Sequence, residues 1–248
     1  KNNLNDLINL QQVDVGAAVV TISGRGGNDT IIGTASNDII NGGAGVDTLT
    51  GGAGNNTYVY NAGDVVAGEV INFNSAGVET LRVDSSTNLS QLNGGAALTL
   101  LDSVNIAEGQ TATFNSSQLT GLSTEINGVG DNGGEGVNIN GSTAGDVINL
   151  SNLVIDSNDV LLTVDGGGGA DTYTSATAAP VVFVHQRGDG VAKTTQIDDG
   201  ANGLTAGDKL TFGNGLDKIL GFKDGADFID LDVDRANLHN DIGTFDVD

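Results

Sequence analysis

Between residues 24 and 59, side chains that carry oxygen atoms recur every nine positions. Four consecutive units read GRGGNDTII, GTASNDIIN, GGAGVDTLT and GGAGNNTYV, and their sixth places are held by Asp29, Asp38, Asp47 and Asn56. Glycine opens every unit. Carboxylate and amide oxygens at a fixed interval, beside glycine-rich turns, are ligands suited to a hard divalent cation.

The same repeat specifies the elements that must position these side chains. In each unit, three residues centred on an apolar one suit a short strand, and six remain to form a turn. Two such units complete one coil, so the strands of successive coils stack in parallel. Ile31 and Leu49 should lie on one sheet, and Ile40 and Tyr58 on the other. The sequence therefore predicts an all-β fold, a right-handed parallel β-roll that continues as a β-solenoid.

Stacking also predicts which oxygen ligands meet. Carboxylates two units apart lie close together and repel each other unless a cation lies between them. We therefore expect two sites, Asp29 with Asp47 and Asp38 with Asn56, the second weaker because Asn56 is neutral. Ca²⁺ accepts irregular sets of six to eight oxygens, whereas Mg²⁺ requires an octahedron, so the predicted ion is Ca²⁺. The alternative is a glycine-rich solenoid whose aspartates only cap turns.

This block resembles the RTX (repeats-in-toxin), or hemolysin-type calcium-binding, sequences. The resemblance implies that each ion is held by the aspartates and backbone carbonyls of two turns, one coil apart. The ligands of a first site would be Gly24, Gly26 and Asp29 with Gly43, Gly45 and Asp47. Those of a second site would be Gly33, Ala35 and Asp38 with Gly52, Gly54 and Asn56. The resemblance also implies export of an unfolded chain that folds outside the cell.

Four regions follow along the chain. Residues 1–23 read as an N-terminal cap or linker, with weak helical spacing near Leu7 and a strand at 17–22. The RTX β-roll should occupy 24–64. Residues 65–130 keep short apolar runs but lose the nine-residue period, which indicates irregular solenoid or a small β insertion. Residues 131–248 read as a degenerate RTX-like β region with an acidic, strand-rich C-terminal cap.

Two nonapeptide-like units lie in this last region. Asp146 occupies the sixth place of GSTAGDVIN, and GGGGADTYT supplies Gly166, Gly168 and Asp171 as further candidate metal ligands. The interval between the two aspartates is not a whole number of nonapeptides, so we expect a register slip and no obligatory shared ion. Asp189 follows Asp171 by two nonapeptide lengths and is a candidate partner one coil later. Turn capping remains the alternative for Asp146 and Asp171.

Composition restricts the function. The net charge is −23, with 27 Asp and only 5 Glu, and the 9 Lys and Arg form no basic patch that would indicate nucleic-acid binding. No apolar run approaches the length of a transmembrane helix. The absence of cysteine excludes disulfides and thiolate metal sites. His185 and His239 lie in no metalloprotease or hydrolase motif, so we expect no enzyme.

The sequence therefore predicts a secreted or cell-surface structural protein that folds on Ca²⁺ and self-associates, as in an S-layer, an adhesin or a filament. The alternative is the C-terminal secretion and folding domain of an exoenzyme exported through a type I channel.

Overall fold

The computed structural model describes residues 3–75, 77–130, 133–155, 160–176 and 181–185, together with short strands at 196–198, 209–211, 218–220 and 228–231. The strands, numbered in chain order, form four parallel sheets and one antiparallel pair. Sheet A contains β1 (Leu7–Asn9), β3 (Thr30–Ile32), β5 (Thr48–Thr50) and β7 (Val70–Asn72). Sheet B contains β2 (Val20–Gly26), β4 (Asp38–Ala44), β6 (Asn56–Tyr60), β8 (Glu79–Val83), β10 (Ser103–Ala107), β12 (Glu125–Val129) and β15 (Val154–Ile155).

Two further parallel sheets arise as the coils enlarge. Sheet C contains β9 (Thr87–Asn88), β11 (Thr111–Asn115), β13 (Glu135–Ser142), β16 (Val160–Gly167), β18 (Val181–His185) and β22 (Phe228–Leu231). Sheet D contains β14 (Val147–Asn149), β17 (Thr172–Thr174) and β21 (Lys218–Leu220). The antiparallel pair is β19 (Gln196–Asp198) with β20 (Lys209–Thr211). A 3₁₀ turn at Leu92–Gly95 and the one-turn helix α1 (Ser116–Leu119) are the helical elements in the described part of the chain.

The sheets enclose a core to which most of the described strands contribute one to three buried apolar residues. Ile31 stacks on Leu49 in sheet A, and Ile40 stacks on Tyr58 in sheet B, all of them fully buried. In sheet A, the neighbours of Ile31 and Leu49 on either side are more exposed, as alternation along a strand requires. The predicted assignment of these residues to two sheets is thus confirmed, and the molecule is a parallel β-solenoid.

Coil length changes along the solenoid, and this explains why the period fades from the sequence. Successive coils of the repeat block are offset by 18 residues, the next ones by 22 to 23, and the pair β14 and β17 by 25. Sheet B nevertheless runs without interruption from β2 to β15. Within residues 65–130, the strands of sheets B and C pair in parallel with strands of neighbouring coils, and the division of the chain into regions stays a prediction.

The N-terminal segment forms a strand, although the spacing of its apolar residues indicates a helix. Residues Leu7–Asn9 form a strand, β1, that pairs in parallel with β3. Ile8 then lies in register with Ile31 and packs partly buried against the core. The expectation of a helical tendency here is wrong, because an available sheet edge outweighs a weak spacing signal. The strand expected at 17–22 corresponds to the start of β2 at Val20.

Candidate metal centre

A column of acidic residues lies immediately before the strands of sheet A, along what we term the first edge. Its members are Asp6, Asp29, Asp47 and Glu69. The backbone N–H of Asp29 donates to Oδ1 of Asp47 over 2.7 Å. Equivalent bonds of 2.7 Å join the N–H of Asp6 to Asp29 and the N–H of Asp47 to Glu69. The structure thus brings Asp29 and Asp47 together and extends their column by one acid on each side.

Within the described part of the chain, the second oxygen of each central carboxylate has no hydrogen-bond partner. Oδ2 of Asp29 and Oδ2 of Asp47 are buried without a donor, in residues that are 1% and 0% exposed. Leaving an ionised oxygen dehydrated and unpaired is costly unless a cation compensates it. This local chemistry fits a bound Ca²⁺.

Burial also perturbs the acids of this column. Burial, with the negative charges of Asp29 and Asp64 adding to it, raises the pKa of Asp47 above its usual value. Burial likewise raises the pKa of Glu69 to about 8, and the charges of Asp47 and Asp64 act in the same direction. A divalent cation beside these groups would oppose both shifts, because it favours the ionised form.

The first place of a repeat must be glycine, because the carboxylate at the sixth place of the same repeat lies directly against it. A methyl group at Gly42 would collide with the carboxylate of Asp47, and one at Gly24 with that of Asp29. The backbones of stacked turns also approach each other closely. Gly43 and Gly45 lie at this approach, and their φ values of +96° and +137° favour glycine. Side chains there would meet backbone carbonyls of the preceding coil, so carbonyl oxygens line the gap between coils.

The opposite turns, which precede or begin the strands of sheet B, form the second edge. Its column contains Asp38, Asn56, Glu79 and Asp102. The N–H of Asp38 donates to Oδ1 of Asn56 over 3.1 Å, and the N–H of Glu79 donates to Oδ2 of Asp102 over 2.8 Å. The structure therefore also brings Asp38 and Asn56 together.

At the second edge, the polar atoms of the repeat block have protein partners. Thr34 donates to the Asp38 carboxylate through its N–H over 2.7 Å and through its hydroxyl over 3.1 Å. Nδ2 of Asn56 lies 3.3 Å from Oε1 of Glu79. Burial raises the pKa of Glu79, whose Oε2 has no hydrogen-bond partner.

Asparagines at the fifth place of the repeats hold the coils together on the outside of both edges. The N–H of Val46 donates to the Asn28 side chain over 3.0 Å, and that of Asn55 donates to the Asn37 side chain over 2.9 Å. Each bond spans 18 residues, which is one coil. Of two adjacent N–H groups in a turn, one therefore donates to the preceding coil and the other to the following coil.

Farther along, Asp146 and Asp171 are stacked in the same manner. The N–H of Asp146 donates to Oδ1 of Asp171 over 2.8 Å, and Val147 pairs with Thr172 in sheet D. The expectation of a register slip between them is wrong, because the coil itself is 25 residues long here. Whether they share an ion stays a prediction.

The remaining predicted ligands of this region fall partly outside the described residues. Gly166 lies against the carboxylate of Asp171, as Gly42 does against Asp47, and Gly168 packs on the backbone of Thr143. Asp189 lies outside the residues that the structure describes.

Sequence reasoning missed the acids outside the strict nonapeptides. Asp6, Glu69, Glu79 and Asp102 belong to the two columns, and the buried Glu135 begins β13 in the same way. All five share a signal that was available, namely an acid two places before an inward apolar residue. It was hidden because the intervals between these acids follow the longer coils rather than multiples of nine.

In the described part of the chain, no three His, Cys, Asp or Glu side chains converge as a metal-binding group. An ion at either edge would therefore take most of its ligands from backbone carbonyls. None of the helices among the described residues is long and apolar enough to cross a membrane.

These features define a class: a parallel β-solenoid whose glycine-rich turns stack buried carboxylates along its edges. Residues 23–58 match the family model of the RTX calcium-binding nonapeptide repeat in four copies. The chain therefore carries calcium-binding RTX repeats, and the ion predicted from the residues is confirmed. No curated protein and no solved structure matched the chain.

Proposed function

We propose that this chain is a structural segment of a secreted or cell-surface protein that acquires its fold when its repeats bind Ca²⁺. The observation that supports this most strongly is the pair of buried, unpartnered oxygens on Asp29 and Asp47. Without a cation, two stacked carboxylates and a net charge of −23 oppose compaction. With one, the free energy of ion binding stabilises the folded state.

The ligands of this first site are the carboxylates of Asp29 and Asp47 together with turn carbonyls. The carbonyl oxygens come from Gly24 and Gly26 in one coil and from Gly43 and Gly45 in the next. This set follows from the resemblance to RTX sequences, and the close approach of the Arg25 and Gly27 carbonyls to Gly43 and Gly45 supports carbonyl ligation between these coils. Ca²⁺ supplies positive charge between two acids, and the chain supplies oxygens on both sides of the gap.

The proposal includes self-association into a layer, filament or adhesive surface. Apolar side chains on outward faces of the later coils support it, since Val147 is 68% exposed and Leu161 is 54% exposed.

A calcium titration after EGTA treatment tests the proposal, with circular dichroism and light scattering recorded together. We expect the β-sheet signal to decrease in EGTA and to recover at millimolar Ca²⁺, followed by an increase in particle size. The variant Asp47→Asn should lose the response, whereas Asp14→Asn should keep it, because the exposed Asp14 lies outside the repeat block. An unchanged spectrum in EGTA would refute calcium-dependent folding. A restored fold without growth in size would favour a monomeric secretion and folding domain.

A further inference from the structure

At the second edge of the repeat block, the two sixth-place side chains that a second calcium ion would bind already have hydrogen-bond partners. Both oxygens of Asp38 accept hydrogen bonds from Thr34, at 2.7 to 3.1 Å. Ser36 in turn donates its N–H to the Thr34 hydroxyl over 3.0 Å, which closes the turn on itself. At the first edge, by contrast, one oxygen of Asp47 has no donor.

The side chain of Asn56 lies where such an ion would. Its Oδ1 accepts the N–H of Asp38, which fixes the amide orientation and directs Nδ2 into the turn. Nδ2 then faces the carbonyl oxygens of Gly52 and Gly54 at 3.5 and 3.4 Å, and a carboxylate oxygen of Glu79 at 3.3 Å. Two carbonyls and one carboxylate thus converge on an N–H₂ donor group.

A second amide reinforces this arrangement. Nδ2 of Asn74, one coil later, donates to Oε1 of Glu79 over 2.7 Å and also contacts the carbonyl of Gly52. No described residue donates a hydrogen bond to Oε2 of Glu79. Among the described residues, the second edge thus offers an ion one unbonded carboxylate oxygen from this column, whereas the first edge offers two.

The same self-closed turn occurs independently in a later coil. Ser142 donates its N–H over 2.7 Å and its hydroxyl over 2.8 Å to Oδ2 of Asp146, and Ala144 donates its N–H to that hydroxyl over 3.1 Å. Thr34 and Ser142 both occupy the second place of their units, where Gly43 stands at the first edge. A hydroxyl residue at the second place therefore accompanies an acid with internal donors.

We propose that the RTX block binds Ca²⁺ at its first edge only, and that the amides of Asn56 and Asn74 take the place of a cation at the second. Four repeats then hold one complete site rather than two. The second edge forms without calcium and provides a preassembled side on which the first edge closes. This inference rests on the proposed function in one respect, that the repeats bind Ca²⁺ at Asp29 and Asp47.

Two matched variants of the full chain test this inference through the number of Ca²⁺ ions that each chain binds. Asp38→Asn and Asp47→Asn each remove one buried sixth-place carboxylate from neighbouring repeats. Equilibrium dialysis against ⁴⁵Ca²⁺ gives the number of ions per chain, and circular dichroism confirms folding. We expect Asp47→Asn to lose one ion and Asp38→Asn to lose none. Loss of one ion in each variant would overturn the inference alone. No loss in either would overturn the proposed calcium site as well.

A gain-of-site variant covers the case in which Asp47→Asn fails to fold. Asn56→Asp replaces the amide by a carboxylate and places a second acid beside Asp38, as in the first edge. Under the inference, this variant binds one more ion per chain than the parent. If the second edge already held an ion, the count would stay the same and only affinity would rise, so an unchanged count contradicts the inference.

Discussion

The two edges of the repeat block share a chain, a period and nearly complete burial, yet they balance charge in different ways. At the first edge, Asp29 and Asp47 each keep a buried oxygen without a donor. At the second, Asp38 is bonded by Thr34, and Asn56 replaces one acid altogether. The sixth-place residue alone therefore does not decide whether a turn depends on calcium. The second place matters as much, because it determines whether a hydroxyl donor is present.

This difference predicts an order of events on calcium binding. A turn whose acids are bonded internally is compatible with the folded state at any calcium concentration. A turn with stacked, unpaired carboxylates gains stability only as the ion binds. The second edge and the coils after it thus form the template, and the first edge closes last.

The largest effect should follow removal of the ion from the first edge. At free Ca²⁺ about 1,000 times the dissociation constant, binding adds about 4 kcal/mol to the free energy of unfolding. We expect urea denaturation to show an increment of this order between EGTA and millimolar Ca²⁺. Asp29→Asn and Asp47→Asn should abolish that increment. Asp38→Asn should retain it, and its loss there would mean that the edges do not differ.

A substitution that adds a methyl group at Gly24 should destabilise the first edge and weaken its calcium binding without removing either acid. In Gly24→Ala the new methyl group meets the Asp29 carboxylate and the carbonyl of Gly42. We expect a loss of roughly 1 to 3 kcal/mol in stability, as for other overpacked sites, and weaker calcium binding. Gly26→Ala in the same turn is the control, since its closest contacts are 3.3 and 3.6 Å away. Equal calcium affinity in the two variants would contradict the need for close approach.

Much of this architecture was accessible from the sequence, and the reason is the short period. Within residues 24–59 one glycine, one acid and one apolar residue recur in register, so Ile31 over Leu49 and Asp29 over Asp47 follow from counting. Beyond the repeat block the coils are longer, and counting by nines no longer aligns Glu69 or Glu79 with the earlier acids. Strand pairing keeps them in column although their spacing differs.

The unequal character of the edges could not be predicted from spacing. The nine-residue pattern assigns no role to Thr34 and predicts only a weaker site at Asn56. Only the contact of the Thr34 hydroxyl with Asp38, and of the Asn56 amide with the carbonyls of Gly52 and Gly54, reveals an alternative to the ion. Such contacts depend on side-chain direction within the turn, which a linear pattern does not encode.

A pH series in EGTA sharpens the comparison through Glu69. Its pKa is about 8 in the folded state against an ordinary 4.5, so the folded state favours the protonated acid. Its contribution to stability is fully present below pH 4.5 and is lost as pH rises through 8. The calcium-free protein should therefore be more stable at pH 5 than at pH 8.5. Glu69→Gln should flatten this dependence, and an equally steep curve in that variant would exclude Glu69 as its source.

The smallest effect concerns the second edge itself. Thr34→Val removes the hydroxyl that bonds Asp38 and leaves the backbone donor in place, so we expect a loss of about 1 kcal/mol. Because no ion is involved, the loss should be equal in EGTA and in millimolar Ca²⁺. Thr48→Val, on the half-buried outward face of β5, is the control and should change stability by less. A loss in Thr34→Val that calcium reverses would contradict the inference that the amides of Asn56 and Asn74 take the place of an ion at the second edge.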